Sequence, residues 1–153
     1  GYVGDATELM ARIDFMLPLF DNWEHVDTIT SSLKAIKKRR EEFLYKYEPL
    51  KSDEAVFSRR FLAVMLLDHF MTDEYFDRVI GIYREITPGD YYVDMAVAWG
   101  LSVLLVKNFE KTFAALSGGD FTPWIRQKTA QKAIESWRIS AENKARLREL
   151  KRG

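Results

Sequence analysis

Four markers recur through this 153-residue chain at nearly constant intervals. Trp23 and Arg60 are 37 residues apart, Arg60 and Trp99 are 39 apart, and Trp99 and Trp137 are 38 apart. A period of about 40 residues is typical of solenoids built from helix pairs. The spacing therefore predicts a single domain over residues 1–153, built of stacked antiparallel helix pairs that form a right-handed superhelix with one marker per repeat.

The hydrophobic pattern supports an all-α fold. Apolar residues follow helical spacing along most of the chain, and no stretch alternates apolar and polar residues as a strand does. We expect a first helix that is capped by Asp5 or Thr7 and ends near Leu17, and Asp21 as the cap of the helix that carries Trp23. Later helices are predicted over about 33–50, 53–70, 72–86, 91–106, 109–116 and 122–138, followed by one capped by Ser140.

The net charge is zero, but the two ends of the chain differ. Residues 1–30 carry six acidic residues against Arg12, whereas residues 121–153 carry nine Lys or Arg against three Glu. The basic end either contacts a polyanion or is an ordinary solvated helix end. The charge run 37–42 has the same two interpretations, and a solvated face predicts the pairs Lys37–Glu41 and Lys38–Glu42.

The sequence lacks the residues that several classes of function require. Cysteine is absent and the two histidines, His25 and His69, are far apart, so neither a thiol nucleophile nor a structural zinc site is expected. Gly118-Gly119 lacks the Gly-Lys-Ser/Thr continuation of a phosphate-binding loop. No apolar run reaches the ~18 residues of a bilayer span, and no signal peptide is visible. We expect a cytoplasmic protein with no cofactor, metal or membrane partner.

One group of residues is suited to binding or catalysis. Asp27 lies one helical turn after Trp23, and Arg60 and Trp99 mark the equivalent helices of the next repeats. Carboxylates stabilise positive charge, arginines hold phosphates, and indole faces attract cations and pack on sugars. Taken singly, each tryptophan is better explained by core packing and Asp27 by a place on a helix surface. Together they favour a cationic, sugar-linked phosphodiester substrate.

Four segments share an order and spacing with a known family: 21–27 (DNWEHVD), 59–61 (RRF), 91–99 (YYVDMAVAW) and 126–134 (RQKTAQKAI). On these segments the chain resembles the AlkD-like DNA alkylation repair enzymes, which are HEAT-like helical repeat proteins, and the similarity extends from about residue 1 to residue 152. The resemblance implies that Trp23 and Trp99 cradle the sugar-phosphate backbone and that Asp27 stabilises the sugar cation and positions water. It also assigns DNA contacts to Arg59, Arg60, Lys128 and Lys132.

The activity implied by this resemblance is that of a DNA glycosylase. Its partner would be double-stranded DNA, and it would hydrolyse the N-glycosidic bond of cationic N3- or N7-alkylated purines. Members often carry Lys and Arg where this chain has Met95 and Ser102, and they carry further N-terminal helices, so we expect an N-terminally truncated member. The alternative is a non-catalytic HEAT-like repeat protein that binds DNA or a protein partner. A continuous positive groove through Arg60, Lys128 and Lys132 would favour DNA, and a neutral or acidic groove would favour the non-catalytic repeat protein.

Overall fold

The protein is built from helices of moderate length that follow one another through short connections. The computed structural model describes the backbone of residues 3–152 and side chains from residue 6 onward. Across that range there is no strand, so the predicted all-α class is confirmed. The helices are α1 (Val3–Met16), α2 (Trp23–Ser32), α3 (Arg40–Tyr47), α4 (Val56–His69), α5 (Phe76–Glu85), α6 (Tyr91–Lys107), α7 (Phe109–Ser117), α8 (Pro123–Ile134) and α9 (Ala141–Arg152).

The even-numbered helices form one layer. α2 packs on α4, α4 on α6, and α6 on α8, while α9 covers the far side of α8. Helices α5 and α7 pack against α6 from the other layer. This arrangement is the α-α superhelix of helix pairs that the marker spacing predicted, and it makes α2, α4, α6 and α8 equivalent members of successive pairs.

Helix α6 lies at the centre of the fold, because it packs against α4, α5, α7 and α8. Asp90 caps it, because its side chain accepts hydrogen bonds from the backbone N–H groups of Tyr92 and Val93. Gly100 lies against the phenol of Tyr83 so closely that a Cβ atom at position 100 would overlap the ring. The Tyr83 hydroxyl donates to the carbonyl oxygen of Ala63 at 3.0 Å, so one side chain of α5 ties α6 to α4.

A ladder of ion pairs joins the odd-numbered helices. The pairs link α1 to α3, α3 to α5, α5 to α7 and α7 to α9, and in each the acid precedes the base by 32 to 37 residues. The four pairs are Asp14–Lys46, Glu41–Arg78, Asp77–Lys111 and Glu110–Arg146. The repeat therefore has a second marker, an acid and a later base, which the tryptophan spacing did not reveal.

The predicted helix over 33–50 is wrong. Residues 34–38 form a 3-10 turn, and Arg39 has φ −137° and ψ 42°, which is outside the helical region and separates that turn from α3. The break lets Arg40 turn towards α4, where its Nε donates to the His69 carbonyl oxygen at 2.6 Å. The predicted i,i+4 pairs of the charge run do not form; Glu42 binds Arg39, and Glu41 belongs to the ladder.

Three details at helix ends also differ from the sequence-based expectation. Asn22, not Asp21, caps α2. Helix α1 already contains residues 5 and 7, so neither is its cap; the side chain of Asp5 lies outside the described residues. Helix α8 ends at Ile134, so Trp137 lies in the following turn, where it is 84% exposed and does not share the layer of the other markers. Ile139, at the end of that turn, is buried in the core.

Candidate functional site

The site begins at the N-terminus of α2. The Asn22 side-chain oxygen accepts the backbone N–H of His25 at 2.8 Å, which fixes the first turn of the helix. Trp23 is the first residue of that turn, and Asp27 follows one turn later on the same face. The indole and the carboxylate therefore face the neighbouring helix α4 together.

Arg60 of α4 completes the cluster. Its Nε donates to Asp27 Oδ1 at 3.0 Å and its Nη2 to Asp27 Oδ2 at 2.7 Å, a two-pronged pair between α2 and α4. Its Nη1 donates to the carbonyl oxygen of Tyr92 at 2.6 Å, at the start of α6. The Arg60 side chain is 7% exposed and that of Asp27 is 21% exposed, so the pair is largely desolvated but Asp27 remains reachable.

Trp23 lies over the same guanidinium. The Arg60 Cζ atom is 5.7 Å from the centroid of the Trp23 ring, within the range of a cation–π contact. Trp23 is still 42% exposed, because the guanidinium covers only part of the ring. The sequence prediction that Trp23, Asp27 and Arg60 belong to one surface is therefore met by direct contacts. We call these three residues the α2–α4 cluster.

No family model, no curated protein and no solved structure matches this chain significantly. The resemblance to the AlkD-like family thus stays a prediction. The α2–α4 cluster has to be judged by its own chemistry.

Trp99 lies apart from the α2–α4 cluster. It is on α6, seven residues after Tyr92, and therefore on the same helix face about two turns, or ~10 Å, further along. It is 42% exposed, so it is a surface residue and not the core residue that its sequence context alone favoured. Trp99 thus shares the layer of the α2–α4 cluster but makes none of the cluster's own contacts.

A second carboxylate lies between α2 and α4, and the sequence analysis missed it. Asp68 follows Arg60 by eight residues on α4, and its Oδ2 atom is buried without a hydrogen-bond partner. Burial, together with the nearby negative charge of Asp27, raises the pKa of Asp68 to about 6. The spacing of two turns from Arg60 was the available signal. Asp27 is therefore paired with a guanidinium, whereas Asp68 is desolvated and has no such partner.

The other residues predicted to bind DNA occupy different environments. Arg59 is 8% exposed, and its Nη1 donates to the carbonyl oxygens of Asp53 and Glu54, so it holds the loop before α4 and presents no free charge to solvent. Lys128 lies 5.7 Å from the ring centroid of Trp124 on α8. Lys132 is one turn further along α8, in a cleft against α6.

A row of aromatic rings, also missed, connects the cluster to Lys128. Successive ring centroids are 5.9 Å apart from Phe57 to Tyr92, 5.5 Å from Tyr92 to Tyr91, and 6.0 Å from Tyr91 to Trp124. Because each ring stands near the start of α4, α6 or α8, the row runs across the array along one edge of the even-numbered layer. Exposed rings of this kind offer flat surfaces for sugars or bases.

The charge along this layer changes from one end to the other. At the α2–α4 end the Arg60 charge is matched by Asp27, and Asp68 adds a further carboxylate, so these groups give this end of the layer no net positive charge. At the α6–α8 end Lys107, Lys132 and Arg138 line one cleft without a carboxylate. Three cations were named for the positive groove. Among the side chains that the structure describes, Arg60 is paired with Asp27, whereas Lys128 and Lys132 have no ion pair. Across residues 3–152, no helix has the length and apolar character of a membrane span, and no three acidic or histidine side chains are grouped as metal ligands.

Proposed function

We propose that the protein is a DNA alkylation repair protein that hydrolyses the N-glycosidic bond of cationic N3- or N7-alkylated purines. The observation that carries this proposal is the α2–α4 cluster, in which an exposed indole, a reachable carboxylate and a guanidinium meet at one place. An alkylated purine already carries positive charge and leaves without being protonated. The groups required are therefore an anion for the sugar cation and a platform for the backbone.

Each residue of the cluster has a part in this mechanism. Trp23 packs against the sugar, while Asp27 faces C1′ as positive charge develops there. The bond between C1′ and the base nitrogen breaks, and its electron pair leaves on the purine, which becomes neutral. Water adds to C1′ and its proton passes through Asp27 to solvent. Arg60 fixes the carboxylate by two hydrogen bonds, and because each carboxylate oxygen has further lone pairs, Asp27 can face the sugar at the same time.

A second candidate function is supported by the same ion pair. Arg60 neutralises Asp27, and the pair connects α2, α4 and, through the Tyr92 carbonyl, α6. A contact of this kind also serves a non-catalytic repeat protein, in which Asp27 and Arg60 only hold the helices together. In that case the exposed aromatic row binds DNA or a protein partner, and no bond is broken.

Single-turnover release of 7-methylguanine from methylated duplex DNA distinguishes these functions. For the glycosylase, Asp27→Asn removes the charge that stabilises the sugar cation and is expected to slow release about 100-fold, or about 3 kcal/mol. The substitution also weakens a largely buried ion pair, and we expect it to lower the free energy of unfolding by about 2 kcal/mol.

Two further variants separate catalysis from stability. Trp23→Ala keeps the ion pair and removes the indole, so it is expected to slow release without a comparable loss of stability. Asp21→Asn changes an exposed carboxylate two residues before Trp23 and is the matched control, with release unchanged. Equal rates for the wild type and Asp27→Asn would remove Asp27 from catalysis. Absence of release by the wild type, with DNA binding retained, would favour the non-catalytic repeat protein.

A further inference from the structure

A cleft between the C-terminal half of α6 and the end of α8 concentrates positive charge. It has a volume of about 270 Å³, and Lys107, Lys132 and Arg138 line it together with Ser102 and Ser136. Its floor is apolar and includes Val103 and Val106. We call it the basic cleft. No carboxylate lines it, and none of its three cations belongs to the ion pairs found among residues 6–152.

A second cleft on the same protein shows that this lack of acids is unusual. The cleft around the charge run 37–42 contains four basic residues, but Glu41, Glu42 and Glu74 line it as well. Its charges are therefore largely balanced internally, with four basic residues against three acidic ones. The basic cleft has three cations in its lining and no such balance, and the repulsion among like charges is unfavourable until an anion enters.

Helix dipoles explain only part of the positive charge that lines the basic cleft. Lys107 and Lys132 stand in the last turns of α6 and α8, where a cation complements the helix dipole. Arg138 lies in the turn after α8 and ends no helix, so its charge has no such explanation. Its backbone N–H donates to the Ser136 hydroxyl oxygen at 3.2 Å, and its Cζ atom lies 5.2 Å from the centroid of the Trp137 ring, so no carboxylate is part of these contacts.

The hydrogen-bonding groups of the cleft suit a phosphate. The Ser136 oxygen accepts from Arg138, so its own proton is free to be donated. Two ammonium groups, a guanidinium and this hydroxyl then supply donors for several acceptor oxygens, and a guanidinium can hold phosphate by two bonds. The Ser102 hydroxyl donates to the Trp99 carbonyl oxygen at 2.6 Å and leaves only lone pairs for a ligand.

Trp99 extends the cleft on one side. It precedes Ser102 and Val103 by three and four residues, so it stands one turn away on the same face of α6, and 42% of it is exposed. The cleft is smaller than the ~300 Å³ or more of a pocket that encloses a whole drug-sized ligand. A phosphate group fits inside it, while a sugar or base attached to that phosphate lies outside, against the indole.

We propose that the basic cleft binds one phosphate group of a nucleotide, with Trp99 packed against the attached sugar or base. The proposal does not depend on the glycosylase activity, because it concerns binding and involves no bond cleavage. The phosphate can belong to a free mononucleotide or to a nucleic-acid backbone, and both present the same chemistry to Lys107, Lys132 and Arg138.

Backbone amide NMR at low salt tests the site with three probes: inorganic phosphate, adenosine 5′-monophosphate and a short DNA duplex. We expect shifts concentrated at residues 102–107 and 132–138. A triple variant, Lys107→Gln with Lys132→Gln and Arg138→Gln, is expected to weaken binding at least about tenfold. The matched control is Lys37→Gln with Lys38→Gln and Arg39→Gln, which removes the same charge from the balanced cleft and is expected to change affinity less than about twofold.

The three probes separate the sources of the phosphate. Tighter binding of the mononucleotide than of inorganic phosphate supports the contact with Trp99, and equal binding contradicts it. If the duplex shifts the amide signals of the cleft residues and neither small probe does, the ligand is a backbone phosphate. If no probe shifts the cleft residues, or if both triple variants lose affinity equally, the proposal is wrong. None of these results depends on base release, so the two proposals fail separately.

Discussion

At the scale of single residues, two carboxylates between α2 and α4 differ in their hydrogen-bond partners. Asp27 is bound at both oxygens by Arg60, whereas Asp68 has a buried oxygen with no partner. Desolvation raises the pKa of an unpaired carboxyl group, and the nearby charge of Asp27 adds to the effect. The folded protein therefore keeps Asp68 protonated up to a higher pH than the unfolded chain does.

This preference makes the stability contributed by Asp68 depend on pH. The pKa of Asp68 is about 6 in the folded protein and near 4 when the chain is unfolded. Between these values the folded state binds more protons, so stability falls as pH rises and stays low above about pH 6. We predict that Asp68→Asn raises the free energy of unfolding by about 2 kcal/mol at pH 8 and leaves it nearly unchanged near pH 4.

Urea unfolding at several pH values checks this prediction. Burial also lowers the pKa of His69, so the stability that neutral His69 contributes to the fold is lost as pH falls, opposite to the effect of Asp68. Each variant must therefore be compared with the wild type at the same pH. Asp73→Asn, an exposed neighbour in sequence, is the control and should have the same small effect throughout. A gain for Asp68→Asn that does not grow between about pH 4 and about pH 6 would rule out an elevated pKa.

At the scale of helices, close approach decides how α5 and α6 pack. Gly100 lets the Tyr83 ring lie directly on the backbone of α6, and the Tyr83 hydroxyl continues to the Ala63 carbonyl of α4. Glycine is a poor helix former, and replacing it with alanine normally stabilises a helix by up to about 1 kcal/mol. Its presence in the middle of α6, where it lies against Tyr83, thus serves packing.

The two helical glycines of α5 and α6 give opposite predictions. Gly100→Ala is expected to lower the free energy of unfolding by about 2 kcal/mol or more, because the new methyl group overlaps the Tyr83 ring. Gly81→Ala on α5 meets no atom within 4 Å and is expected to be neutral or stabilising. Denaturant unfolding of both variants measures the contrast. A Gly100→Ala protein as stable as the wild type would show that Tyr83 can move aside at little cost.

At the scale of the whole molecule, the two layers are held by different forces. The even-numbered layer is joined by buried apolar contacts and by the desolvated pair of Asp27 and Arg60. The odd-numbered helices are joined by the ladder, whose side chains are between 36% and 78% exposed. Exposed ion pairs are screened by salt, and buried contacts are much less so.

The ladder should therefore make the melting temperature sensitive to salt. We predict that raising NaCl from about 50 mM to about 1 M lowers the melting temperature of the wild type by a few degrees relative to a variant with Glu41→Gln, Asp77→Asn and Glu110→Gln. The control carries Glu8→Gln and Glu149→Gln, which removes pairs within single helices and leaves the ladder intact. It should respond to salt as the wild type does. The same salt response in all three proteins would mean that the ladder contributes nothing.

The sequence by itself determined the fold class and most helix ends. Helical periodicity depends on neighbours three or four residues apart, so it is visible in the chain, and the cap at Ser140 was predicted for the same local reason. The repeat spacing also brought Trp23, Asp27 and Arg60 to one surface. Local rules failed where a distant partner intervened, as when Arg40 reached the His69 carbonyl and the helix over 33–50 broke.

Only the tertiary structure decided what each site residue is bound to. A sequence shows that Arg60 is a cation, but not that Asp27 and the Tyr92 carbonyl occupy its donors or that Arg59 turns inward to a loop. It shows neither the burial that raises the pKa of Asp68 nor the absence of acids around Lys107, Lys132 and Arg138. Charge balance and desolvation depend on groups some 30 residues apart in the chain, and their meeting is set by how the helices stack.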